Sequence, residues 1–215
     1  MSFLNQLKSQ ATALQREQNI QQHDLARAKE QTEAACKLAW YYLDDLAKQL
    51  NVISPPGPVL SVDGKVKWPT MRLSGFRVDA RKKLLRSQEV YDYIGMWWRI
   101  VPETGKPLST DVTVNFPPDL ERVEMRLSQG QIKHERKEIR HPEKNTLLAI
   151  KFEFETETRG TVTITPDHDK AEVAFRVTNA RGFEVVNVTR KATEVKTELM
   201  DELAKLIVAQ PSRFA

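Results

Sequence analysis

The residues best suited to chemistry in this chain are few and scattered. Asp167-His168-Asp169 sets three potential metal ligands in one short stretch. Consecutive residues cannot surround an ion, so a site there needs distant ligands, and no partner motif accompanies it. The expectation is a solvated turn between two strands. His134 and His141 flank a charged segment, and His23 sits among polar residues, none with a second histidine at ligand spacing. Cys36 is the only cysteine, which excludes an intrachain disulfide and a cysteine-based metal cluster. No histidine lies close to it in sequence to activate the thiol, so it reads as a small packing residue. Glu153, Glu155 and Glu157 carry carboxylates at strand spacing. Paired carboxylates can do acid–base work, but these alternate with Lys151 and stop at Arg159, as a solvated strand face does. There is no nucleophile elbow, phosphate-cradling loop or dinucleotide fingerprint. The expectation is a non-enzyme with no catalytic residue, no metal and no cofactor.

Charge gives a second set of candidates. The net charge is +4 and the isoelectric point about 9.1, mild for a dedicated nucleic-acid binder. The excess sits in the middle of the chain, where residues 54–145 hold 17 basic and 12 acidic groups. Its densest part is Arg72, Arg77, Arg81, Lys82, Lys83 and Arg86, with Asp79 the one acid among them. Close by are Tyr91, Tyr93, Trp97 and Trp98. Basic groups interleaved with aromatics suit single-stranded nucleic acid or another anionic surface. Arg77, Arg81, Lys82, Lys83 and Arg86 are therefore candidate anion-binding residues. Adjacent Trp97 and Trp98 in a strand point to opposite faces, so one of them at most belongs to such a surface.

These residues need elements to position them, and the longest element comes first. Residues 2–51 contain neither Gly nor Pro. An unbroken heptad seam runs through Leu4, Leu7, Ala11, Leu14, Gln18, Gln21, Leu25, Ala28, Thr32, Ala35, Ala39, Tyr42, Leu46 and Gln49, ten of the fourteen apolar. That repeat predicts a long coiled-coil-like helix. The positions flanking the seam are polar up to Gln31 and become apolar from Cys36, at Cys36, Leu38, Leu43 and Leu50. A narrow stripe suits a partner helix and a wide one suits burial on a domain. Residues 1–31 are thus expected to project or pair with a partner through Leu4, Leu7, Ala11, Leu14, Gln18, Gln21, Leu25 and Ala28, and residues 36–53 to lie on the body. The Gln18/Gln21 layer weakens such a pairing while fixing its register.

Ser54-Pro-Pro-Gly-Pro58 cannot continue a helix and marks a linker over residues 54–58. Beyond it, residues 59–215 read as a sheet domain closed by a helix over residues 193–210. Asp63-Gly64 between Val59-Leu-Ser-Val62 and Lys65-Val-Lys-Trp68 predicts a two-residue hairpin. A strand with a bulge at Gly75 follows, then an aromatic strand over residues 91–101. Val112 to Phe116, and after Pro117-Pro118 the run Val123, Met125, Leu127, alternate like strands, and residues 131–140 form a charged edge strand. Leu148 to Phe154, Val162 with Ile164, Val173 to Val177 and Phe183 to Val188 continue the alternation at roughly ten-residue spacing. The expected class is α+β: a curved antiparallel meander of roughly eight or nine strands, with the C-terminal helix and the wide half of the first helix on one face. Thr193 is the expected N-cap of the closing helix and Pro211 its stop.

Three functions are open to such a chain. The first is a non-enzymatic assembly or adaptor protein, a homo-oligomer or partner-docking module working through its N-terminal helix. The second is a carrier of a small hydrophobic molecule in a helix-grip cavity between sheet and C-terminal helix. The third is nucleic-acid or anionic-surface binding through residues 72–86. No run approaches the ~18 apolar residues of a transmembrane segment, and residues 1–8 lack the apolar core of a signal peptide, so a cytoplasmic location is expected.

Overall fold

The computed structural model describes residues 3–215, except for the side chains of Leu4 and Ser9. One uninterrupted helix, α1, runs Phe3–Ile53, roughly 75 Å at 1.5 Å per residue. Strands β1 (Met71–Leu85), β2 (Gln88–Pro102) and β3 (Ser109–Val114) follow, then helix α2 (Pro117–Gln129). Strands β4 (His134–Arg140), β5 (Leu147–Glu155), β6 (Thr158–Asp167), β7 (Glu172–Thr178) and β8 (Val185–Lys191) come next, and helix α3 (Thr197–Ile207) closes the chain. The molecule is α+β, and its strands are antiparallel.

The eight strands do not form one meander. They split into a five-stranded sheet of order β1-β2-β6-β7-β8 and a three-stranded sheet of order β3-β5-β4. The division falls at Thr156-Glu157, where the chain leaves β5 for one sheet and enters β6 in the other. Thr156 fixes the crossing: its N–H donates to the Leu108 carbonyl at 2.9 Å, and its hydroxyl accepts from the Leu108 N–H at 3.0 Å. Alternation shows which face of a strand is apolar. It does not show which strand lies beside it, so the two sheets read as one.

Three further expectations are overturned. Val123, Met125 and Leu127 belong to helix α2 rather than a strand. Val123 and Leu127 are fully buried and Met125 is exposed, the mark of i and i+4 on one helical face. Pro117 and Pro118 break a strand but are compatible with the first turn of a helix, where a missing N–H costs nothing. Around Asp63-Gly64 there is no hairpin of strands. The Asp63 carboxylate accepts from the N–H groups of Lys65 and Val66, both at 2.8 Å, and winds the loop on itself. Its turn chemistry is side chain to backbone. At the other end of the chain, Ala192–Glu194 forms a 3-10 turn and α3 begins only at Thr197 with Lys196 at its N-cap, so Thr193 caps nothing.

The edge-strand and bulge expectations agree with the structure. β4 is exposed along its whole length at an edge. Its neighbours continue a charge ladder, with Lys137 against Glu153 and Lys151 joined to both Glu153 and Asp111. The β1–β2 register shifts between Ser74 and Arg77, with Gly75 at φ +65°. Residues 55–57 lie along β1: the Gly57 N–H donates to Met71 and the Pro55 carbonyl accepts from Leu73.

The core lies between the inner face of the five-stranded sheet and two helices. Leu73, Phe76, Ile94, Met96, Trp98, Ile100, Val162, Ile164, Val173, Phe175 and Val177 meet Cys36, Ala39, Leu43 and Leu50 of α1 and Met200, Leu203, Leu206 and Ile207 of α3. The space under α3 is filled, with Phe175 packed edge-on against Phe214 at 5.4 Å between centroids.

Candidate interaction surfaces

Along residues 3–24 of α1, every described side chain is exposed. Leu7 is 45% and Leu14 59% exposed, and Ala11, Gln18 and Gln21 are exposed between and beyond them. Leu4 falls among the side chains outside the described residues. The seam meets the body gradually: Leu25 and Ala28 are half-buried, and Thr32 is fully buried. The exposed part is about 33 Å long, a helical arm beyond the sheet.

The packed half of α1 keeps the heptad seam only as far as Ala39. Its buried positions are Thr32, Ala35, Cys36, Ala39, Leu43, Ala47 and Leu50, and the series from Thr32 and Cys36 to Leu50 advances in steps of three and four that average the ~3.6 residues of a straight helix. The heptad positions Tyr42 and Leu46 are only half-buried, and Gln49 is exposed. A straight helix drifts about 20° per heptad against a seven-residue repeat, and here the contact face follows the helix.

Polar contacts anchor this half at both ends and in the middle. At the start, Glu33 Oε1 accepts from the Tyr91 N–H at 2.9 Å and from His168 Nε2 at 2.8 Å. His168 is 4% exposed; the Asp167–Asp169 stretch is therefore not a wholly solvated turn, because its histidine points inward to the helix. Asp167 folds the turn by accepting from the N–H groups of Asp169 and Lys170. In the middle, the Tyr42 hydroxyl donates to Asp201 of α3 at 2.6 Å, and burial with this bond raises the pKa of the phenol. At the end, Asn51 takes both backbone groups of Phe76 at the β1 bulge, accepting from its N–H at 2.8 Å and donating to its carbonyl at 2.9 Å. Cys36 lies inside the same interface, where burial, aided by the Glu33 charge, pushes its thiol up to about 12.

The basic segment is largely neutralised by its surroundings. Lys82 pairs with Glu89 at 3.0 Å, Arg81 and Lys83 both reach Asp92, at 3.6 and 3.1 Å, and Arg86 meets Asp169 at 2.6 Å. These are solvent-exposed ion pairs of the β1–β2 hairpin and the β6–β7 turn, which add little to stability. Arg77 is different: it makes no ion pair among the described residues and stands in register opposite Trp97. Trp97 and Trp98 do take opposite faces. Trp98 is 1% exposed in the core, and Trp97 is 36% exposed on the outer face. A β-carbon built on Gly95 would lie 3.3 Å from the Trp97 ring and 3.7 Å from the Tyr93 ring, so both rings lean over that glycine. Sequence reasoning missed Arg176, which the β6–β7 pairing brings to the same face. Only the strand order could have revealed it.

One open groove of about 820 Å³ runs where the two sheets part, lined by Ser109, His134, Glu135, Glu153, Glu155 and Arg159 among others. Ion pairs with Lys137 and Lys151 hold the Glu153 carboxyl below the usual range, which suits a solvated surface. No cluster of three His, Cys, Asp or Glu side chains among the described residues is placed to hold a metal ion. No described helix is long and apolar enough to cross a membrane. Comparison with known protein families, with characterised proteins and with solved structures finds no match to this chain.

Proposed function

We propose that this chain is a non-enzymatic, cytoplasmic assembly or adaptor protein that self-associates or docks a protein partner through the arm of α1. The observation that carries this reading is the exposure of every described side chain over residues 3–24, on a helix whose remainder is fixed to the body. Most helical stability in proteins comes from packing one face of the helix, and the arm gains no such packing from its own sheet. A partner helix on Leu7, Ala11 and Leu14 supplies what is missing, since burying a leucine contributes about 1.5–3 kcal/mol. The arm also lacks the Gly and Pro that most readily let a chain fold back. The carrier alternative loses ground to the filled space between α3 and the sheet.

The test is sedimentation of the full chain beside a Leu7→Glu/Leu14→Glu variant. Both substitutions fall on exposed positions, so the body keeps its fold. The wild type is expected to sediment as an oligomer or with a helical partner, and the variant as a monomer. A wild type and variant with the same sedimentation and the same partners overturn the reading.

A further inference from the structure

We propose that the outer face of the five-stranded sheet, centred on Tyr93, Gly95 and Trp97, binds single-stranded nucleic acid. Along β2, residues 93, 95 and 97 share the face opposite the core. Among the described residues no helix covers that face: α1 and α3 both pack on the other side, in the core with Ile94, Met96 and Trp98. Gly95 has no side chain, so the Tyr93 and Trp97 rings settle over it and leave a low aromatic floor. Trp68 and Trp98, by contrast, are buried in the core. Here Tyr93 is half-buried and Trp97 is 36% exposed.

The register supplies the surroundings. The row through Trp97 reads Arg77, Trp97, Thr161, Thr178 and Val185 from β1 to β8. The next row reads Asp79, Gly95, Thr163, Arg176 and Asn187. Charged groups in these rows are two arginines and one aspartate, and Asp79 is partly engaged by the Ala80 N–H at 2.8 Å. Arg77 and Arg176 make no ion pair among the described residues, in contrast to Lys82 and Arg86 at the hairpin tip. Arg77 is one strand from Trp97, and Arg176 is two strands from Gly95, about 10 Å away. The acids Asp167 and Glu172 pair with each other in register at the far end of the sheet, outside these rows.

Bases stack on aromatic rings without regard to sequence, and guanidinium groups beside them take the phosphates. Unstacked bases are required, so a single strand fits and a duplex does not. Threonine hydroxyls at 161, 163 and 178 can bond base edges; Thr161 and Thr178 already lie 2.7 Å apart. This site differs from the basic segment of residues 72–86: it keeps Arg77 and the nearby Trp97, drops the paired lysines, and adds Arg176 from a strand distant in sequence.

The experiment is fluorescence anisotropy of a labelled oligothymidylate of about a dozen nucleotides, titrated with the full-length protein. Micromolar binding is expected at low salt. It should weaken roughly tenfold between 50 and 200 mM salt, as two to three phosphate contacts require. Trp97→Ala should lose about tenfold while Trp97→Phe retains most affinity, which separates stacking from misfolding. Arg77→Ala and Arg176→Ala should each weaken binding and flatten the salt dependence, while Lys82→Ala leaves it unchanged. The proposal is overturned by no binding at 50 mM salt, by Trp97→Ala binding like wild type, or by equal affinity for a duplex of the same length. Equal affinity for phosphatidylserine vesicles, insensitive to Trp97→Ala, overturns it as well and assigns the face to anionic surfaces in general.

Discussion

At Gly160 a single methyl group decides whether β6 can lie beside β2. Trp98 pairs with Gly160 across the ladder, and a β-carbon there would sit 2.2 Å from two indole carbons. Trp98 is 1% exposed and stacked on Phe76 at 5.8 Å, so it has nowhere to go. Gly160→Ala should therefore destabilise at or above the upper end of the ~1–3 kcal/mol typical of overpacking, read as a lower urea midpoint. Adding Trp98→Leu should recover part of the loss; no recovery would mean that the glycine serves its backbone alone. Cys36 makes a second residue-level case. Its thiol is pushed up to about 12, first by burial and then by Glu33, against about 8.5 in an unfolded chain. The folded state thus holds the proton longer than the unfolded state. Stability from this group is complete below about pH 8.5 and falls by roughly 1.4 kcal/mol per pH unit above it. Urea unfolding between pH 8 and 10 should show a shallower decline in Cys36→Ala than in the wild type. Native protein should also resist thiol reagents at pH 8 until it unfolds, whereas rapid labelling would place Cys36 at an open surface.

Among the elements, the legible ones carry their periodicity in side chains that meet water. The long helix, the exposed edge strand β4 and the bulge at Gly75 were readable because composition, charge alternation and a glycine each act locally. Helix α2 was not, because Val123 and Leu127 satisfy both a strand's alternation and a helix's i,i+4 spacing, and Met125 between them imitates a strand residue. Pro117-Pro118 holds the deciding signal, because a proline pair interrupts a strand but fits the first turn of a helix. The division into two sheets depends on Thr156 bonding Leu108 across 48 residues, which no local pattern encodes. The candidate face divides in the same way: Trp97 and Arg77 were visible in sequence, while Arg176 needed the order β2-β6-β7. Asn51 shows how one polar residue links elements. It supplies both hydrogen bonds that Phe76 lacks at the bulge. Asn51→Ala should leave both unmade and lower stability by about 1–3 kcal/mol. Asn51→Asp keeps only the acceptor and should fall between. A loss under about 0.5 kcal/mol for Asn51→Ala, within the range of an ordinary surface change, would show that water replaces the side chain without penalty.

For the whole molecule, the body limits how two arms can pair. The seam that is free at Leu7 and Leu14 continues into Thr32 and Ala35, which face the chain's own core. A straight partner helix lying parallel and in register would run into the space the body occupies. An antiparallel partner passes away from it, and an overlap kept within the free arm sets Ala11 of one chain against Leu14 of the other. Charge does not assist this arrangement. Flanking positions on one side hold Lys8, Gln15, Gln22 and Lys29, and those on the other hold Gln10, Glu17, Asp24 and Gln31. Antiparallel helices bring each flank against its own kind, so no register forms an ion pair. A parallel pair would join Asp24 to Lys29. Self-association should therefore be weak and nearly independent of salt between 50 and 500 mM, because exposed ion pairs are what screening removes. Orientation can be read directly in a Cys36→Ala background. A mixture of Ala11→Cys and Leu14→Cys chains should form a disulfide dimer under mild oxidation, while Leu14→Cys alone should not. A dimer from Leu14→Cys alone would mean that the helices splay to pair in parallel despite the body. A monomer in both cases assigns the arm to a helix of another protein, one whose flanks offer acid opposite Lys8 and base opposite Glu17 and Asp24.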